Sequence, residues 1–171
     1  TDIKYLFGAP DTTDLTALTS GVSASEFVPA SGTREMDETG GAKVVEALKK
    51  VRIGVFGQHP DGFHTCEYDP AQISAMTGAT VEAHALPGVF DRARGIDADR
   101  VADIHAKTDK RVANLADMEP EALDKGLRVY AALSDLAKEG AYTGLAVRCW
   151  PEFFTDYGCA ACGAMAMISG D

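Results

Sequence analysis

Cysteine is sparse in this chain: Cys66, Cys149, Cys159 and Cys162 are the four in 171 residues. That number excludes a scaffold built on disulfides. No apolar run approaches the ~18 residues of a membrane-spanning helix, so no membrane partner is expected. Clustered Lys and Arg are missing and the net charge is -10, which argues against nucleic acid as a partner. There is no charged tail, internal repeat or low-complexity segment. Phosphate cradles are absent too: "GVFGQHPDG" is neither a Gly-x-Gly-x-x-Gly turn nor a Gly-Lys-Ser/Thr loop. Ser25, Ser31 and Ser74 lack a nucleophile-elbow context, which leaves a hydrolase triad unsupported.

What is present is ordinary globular material, 46% apolar and 25% charged. A chain this long buries roughly two-thirds of its unfolded surface as one domain. The expectation is a single soluble, cytoplasmic domain over residues 1–171. Thr1-Asp2 leads at once into an apolar run, and "GAMAMISGD" halts where a helix would pass to its next element. Both ends fit a domain excised from a longer chain.

Strand and helix patterns alternate. "IKYLFGAP" (3–10) reads as a strand, Asp11 as the cap of a helix to Leu18, and "SEFVPA" as a weak second strand. Val44, Val45 and Leu48 recur at helical spacing within 37–50. "VRIGVFG" (51–57) is β-branched and nearly continuous, a buried strand. In "YDPAQISAMTG" Asp69 is the N-cap, Pro70 opens the first turn and Gly78 closes the helix. "TVEAHALP" (80–87) reads as a strand. Two long amphipathic helices follow, one with Val101, Ile104, Thr108, Val112 and Leu115 on a stripe, the other with Leu123, Leu127, Tyr130 and Leu133, ending at Gly140. "TGLAVRC" (143–149) is a last strand, and "FFTDYGCAACGAMAMI" leads into a helix of small residues. Strands separated by helices predict an α/β fold, a doubly wound, Rossmann- or flavodoxin-like, mostly parallel sheet with helices on both faces.

In such sheets ligands bind beyond the carboxyl ends of the strands. The loops there are "GAPD", "GQHPDGFHTCEYD", "LPG" and "RCWPE". The second holds His59 and His64, a spacing that can serve a metal but has no motif specificity and better suits a solvated loop around a Pro60-Asp61-Gly62 turn. His84 and His105 fall on strand and helix patterns and read as structural. Cys159-Ala-Ala-Cys162 at a helix start has three readings: close packing among Ala and Gly, a redox dithiol, or, with Cys66 and Cys149, a four-thiolate zinc site. Arg148, Trp150 and Glu152 set donors, an apolar platform and an acceptor in a row, equipment for binding a polyol. Pro151 holds Trp150 extended. The plain alternative is a surface Arg–Glu pair beside a half-buried Trp.

The two segments 51–86, "VRIGVFGQHPDGFHTCEYDPAQISAMTGATVEAHAL", and 144–171, "GLAVRCWPEFFTDYGCAACGAMAMISGD", together resemble the L-fucose/L-arabinose isomerase superfamily, in particular its L-fucose isomerase-like branch of sugar isomerases. The resemblance covers most of the chain from Val51 onward. It implies the central α/β domain of a three-domain, homo-oligomeric enzyme that interconverts aldoses and ketoses through an ene-diol. A divalent metal, usually Mn²⁺, polarises the sugar oxygens in that family while carboxylates move protons. The family's metal-binding Glu and Asp come shortly after the helix that ends this chain, and its His further on. The resemblance therefore implies no catalytic residue and no metal ligand within these 171 residues, no metal bound to the chain, and no activity alone. It implies Arg148, Trp150 and Glu152 as sugar-contacting, and Cys159 and Cys162 as packing residues. Its implied partners are a small sugar and the other domains of the parent chain.

Overall fold

A computed structural model of the chain describes residues 38–170. The strand expected at 3–10, the helix capped by Asp11 and the strand "SEFVPA" lie outside the described residues. Helix α1 is Glu38–Leu48. Its apolar stripe is exposed, Val44 and Val45 both more than half so. Strand β1 is Arg52–Phe56. Helix α2, Pro70–Thr77, has the punctuation its sequence announces: the Asp69 carboxylate accepts from Ala71 N–H at 2.8 Å, Pro70 begins the helix and Gly78 ends it in the left-handed region. Strand β2 is Thr80–His84.

The sequence extends β2 to Pro87, but Leu86 and Pro87 instead open helix α3, Leu86–Arg94. A proline is tolerated in a first helical turn, where its missing N–H has no partner to lose. Helix α4, Ala98–Asp109, is shorter than its stripe suggests; Val112 is 41% exposed, and Leu115 returns to the interior through a 3₁₀ turn at Leu115–Asp117. Helix α5, Pro120–Glu139, runs to Gly140 as expected, its first N–H groups capped by the Glu119 carboxylate. Strand β3, Gly144–Val147, a π-helical turn, Phe153–Tyr157, and helix α6, Cys162–Ser169, complete the described chain.

The strands pair in parallel in the order β2-β1-β3. Moving from β1 out to β2, then back past β1 to β3, reverses the direction of travel. Right-handed connections therefore put α2 on one face and α3 to α5 on the other, the doubly wound α/β arrangement. The main core forms on the second face, where α3 packs on α5 and α5 on α6. Phe56, Val89, Phe90, Val129, Leu133 and Phe153 are nearly or wholly buried there. A second cluster, Ile96, Val101, Leu127 and Ala131, joins α4 to α5. Arg100 on α4 closes that joint with a two-pronged pair to Asp135 on α5, both contacts 2.7 Å.

Candidate functional site

The chain leaves β1 and β3 toward opposite faces, which opens a crevice outside their carboxyl ends. A cleft of about 870 Å³ lies there, lined from the β1 exit by Gly57, Gln58, His59, Glu67 and Tyr68, from the β2 exit by His84, Leu86, Pro87 and Phe90, and from the β3 exit by Arg148, Glu152 and Asp156. The three loops converge because the ladder continues past the strand ends. Gly57 N–H donates to the His84 carbonyl at 2.8 Å, and Arg148 N–H donates to the Phe56 carbonyl at 2.9 Å. Gly57 has φ +83°, and a Cβ there would lie 2.9 Å from both Arg148 Cβ and Leu86 Cγ. Only a residue without a side chain turns the backbone between these two walls.

Arg148 is the best-anchored polar group of the cleft. Its Nη1 donates to the Gln58 carbonyl at 3.2 Å and its Nε to the Trp150 carbonyl at 3.3 Å, while Nη2 pairs with Glu152 Oε1 at 2.6 Å. Glu152 Oε2 is buried and has no hydrogen-bond partner. A carboxylate oxygen in that state is an acceptor in search of a donor. Glu152 owes its position to Phe153, which is fully buried and meets Phe90 edge-on at 5.0 Å; Tyr157 stacks on the same Phe90 at 5.3 Å. Burial raises the Tyr157 phenol to about 12, so it stays neutral.

Trp150 joins Pro151 through a cis peptide. Its indole is 60% exposed and does not line the cleft. Of the three residues singled out from the sequence, the structure thus brings Arg148 and Glu152 together in the wall and leaves Trp150 outside it. His59 lines the cleft, 3.7 Å from Glu67, whereas His64 stands exposed with Nδ1 3.0 Å from the same carboxylate. His105, read as structural, is exposed on α4.

His84 is structural and more. Its ring stacks on Phe56 at 4.9 Å and lines the cleft, and Nε2 lies 2.6 Å from the Tyr142 hydroxyl. That hydroxyl donates to Glu82 Oε2 at 2.7 Å, and the other oxygen of Glu82 pairs with Arg52. A carboxylate only accepts and a phenol has one proton, so the Tyr142 oxygen must accept from His84 Nε2–H. The tautomer is fixed by the row. Tyr142 lies across the sheet because Gly54 has no side chain; a Cβ there would come within 2.7 Å of the ring. The Tyr142 hydroxyl, followed by Arg52, holds the Glu82 carboxyl below its usual range, and Glu82 in turn raises Tyr142. Sequence periodicity placed His84 in a strand; only the 58-residue reach to Tyr142 reveals its second role.

The cysteines pair differently from their spacing. Cys159 is buried in the core and its thiol is pushed up by burial. Cys162 is exposed, and its Sγ lies 3.9 Å from that of Cys149. Cys66 is exposed on the β1 exit loop. Among the described residues no three His, Cys, Asp or Glu side chains converge as metal ligands, so the four-thiolate arrangement is not formed there. Among the described residues, too, no helix is long and apolar enough to cross a membrane.

Fold and cleft together define a parallel α/β domain with an open pocket at its carboxyl edge, edged by donors and acceptors over an apolar floor. No protein-family model matches the chain. It is 29% identical over 125 residues to a sulfoquinovose isomerase of Alkalicoccus urumqiensis, covering 73% of this chain and 28% of that protein. Sulfoquinovose isomerases of Clostridium sp. (strain MSTE9) and Priestia aryabhattai are each 25% identical, over 127 and 129 residues, or 74% and 75% of this chain. The chain spans less than a third of the length of these curated relatives, which are sugar isomerases by name.

Proposed function

We propose that the chain forms part of the sugar-binding region of an aldose–ketose isomerase whose substrate is sulfoquinovose or a closely similar aldose. The observation that carries the reading is the Arg148–Glu152 pair, anchored in the cleft wall of a chain similar to named sugar isomerases. A sugar presents alternating hydroxyl donors and acceptors on a puckered ring with apolar faces. The Arg148 guanidinium has N–H groups beyond those it spends on Gln58, Trp150 and Glu152, and these serve sugar oxygens. A small rotation of Glu152 turns its unpartnered oxygen to a sugar hydroxyl. Leu86 and Phe90 supply the apolar floor, and Trp150 an exposed platform beside the pair in the chain.

In this reading the isomerisation proceeds through an ene-diol, for which Mn²⁺ supplies polarisation of the sugar's carbonyl and hydroxyl oxygens. The groups that hold the metal and move the protons belong to other domains of a longer, oligomeric, cytoplasmic enzyme. The residues of this chain bind and orient the sugar.

Isothermal titration with sulfoquinovose tests the assignment. Measurable binding is expected, weakened at least tenfold (about 1.4 kcal/mol) by Arg148→Met and by Glu152→Gln, and unchanged by Arg100→Ala on the remote α4. Equal affinity in all four proteins, each shown folded by thermal melting, contradicts it.

A further inference from the structure

We infer that Cys149 and Cys162 form an oxidation site, a dithiol that a peroxide converts to an intramolecular disulfide, distinct from the Cys159–Cys162 pair that the sequence spacing suggests. Three observations carry this. The Sγ atoms of Cys149 and Cys162 are 3.9 Å apart. Cys162 is exposed, so a small oxidant reaches it, and Cys149 is half-buried beside it. Cys159 is sequestered in the core with Phe153 and Ala161, so the Cys-x-x-Cys spacing does not deliver the reactive partner.

Closing the bond requires the sulfurs to approach from 3.9 Å to about 2.05 Å. Cys149 lies in the irregular segment past the end of β3 at Val147, and Cys162 is exposed at the start of α6. The chemistry balances with hydrogen peroxide as the oxidant. The Cys162 thiolate attacks one peroxide oxygen, the O–O bond breaks, and Cys162 becomes a sulfenic acid as hydroxide leaves. The Cys149 thiolate then attacks the Cys162 sulfur; the S–S bond forms, the S–O bond breaks, and a second hydroxide leaves. Each hydroxide takes up a thiol proton, so two thiols and one peroxide give one disulfide and two waters. Cys149 pushes the Cys162 thiol above its ordinary range, so cross-linking accelerates as the pH rises.

The link ties the segment that carries Arg148 and Glu152 to the start of α6. Cys149 sits between Arg148 and Trp150, so oxidation acts on the wall of the cleft whatever ligand the cleft takes.

The test is peptide mapping by mass spectrometry under non-reducing conditions, on dilute protein treated with hydrogen peroxide. The expected product is a monomer with two of its four thiols lost and a Cys149–Cys162 linked peptide that dithiothreitol dissolves. Cys159→Ser retains the link, and Cys149→Ser and Cys162→Ser abolish it. Cys162 is exposed, so its serine variant keeps the wild-type melting temperature and separates loss of the link from loss of fold. A Cys159–Cys162 link, a dimer joined through Cys66, or Cys162 oxidised to sulfinic acid without any link would each overturn the inference. None of these readouts depends on sugar binding.

Discussion

Gly57 is the residue on which the cleft turns. Its positive φ bends the β1 exit, and its missing side chain leaves room for Arg148 on one side and Leu86 on the other. Gly57→Ala combines an unfavourable backbone region with overpacking between two walls. The expected cost is on the order of 3 kcal/mol, read by denaturant unfolding. Arg148 and Glu152 depend on each other in a similar way. Removing the guanidinium leaves a carboxylate in a largely enclosed wall, one oxygen of which already has no donor. Arg148→Met is therefore expected to lower stability more than the double variant Arg148→Met/Glu152→Gln, because the second change relieves the stranded charge. A double-mutant cycle measures this, and additive losses contradict the pairing.

At the scale of elements, the π-helical turn and the row crossing the sheet do the positioning. Phe153 follows Glu152 directly and is fully buried against Phe90. Phe153→Ala is expected to cost about 3–5 kcal/mol by denaturant unfolding and to loosen Glu152 with it. The row from His84 through Tyr142 and Glu82 to Arg52 ties β2 to the segment entering β3. Glu82 has a lowered carboxyl pKa, so its contribution to stability is present above the unfolded carboxylate value and is lost as the pH falls through the folded one. Tyr142→Phe removes the largest cause of that lowering. The Glu82 carboxyl should then titrate closer to its ordinary range by NMR, and the stability difference from wild type should shrink in acid. A titration unmoved by Tyr142→Phe contradicts the row.

Elements punctuated locally were legible in the sequence. Asp69, Pro70 and Gly78 mark α2 within ten residues, and Gly140 marks the end of α5. Helix α3 was hidden because Pro87-Gly88 reads equally well as the end of a strand. The stripe of α4 was overextended because a 3₁₀ turn returns Leu115 to the same side that a continuous helix would. The cleft was half legible. "RCWPE" announced a polar exit, but the contact from Arg148 to the Gln58 carbonyl spans 90 residues and that from His84 to Tyr142 spans 58. Such contacts arise from strand order, which no local pattern encodes. For the cysteines the spacing left packing, redox and zinc readings open; Cys159 packs in the core, and the exit of β3 brings Cys149 rather than Cys159 to Cys162.

For the molecule as a whole, the described residues form a doubly wound sheet with a cleft at its carboxyl edge, and among them no three His, Cys, Asp or Glu side chains converge as metal ligands. The proposed isomerase reading therefore expects no ketose from sulfoquinovose and Mn²⁺ with this chain alone; robust turnover would contradict the assignment of the proton-moving groups to other domains. The most direct test of the central claim, that the cleft is a sugar site, is a two-dimensional NMR titration of the labelled chain with sulfoquinovose. The account predicts shifts that saturate and cluster at Gln58, His59, His84, Arg148 and Glu152, and that are lost in Arg148→Met. Saturable shifts confined to another surface, or none at millimolar sugar, would contradict it.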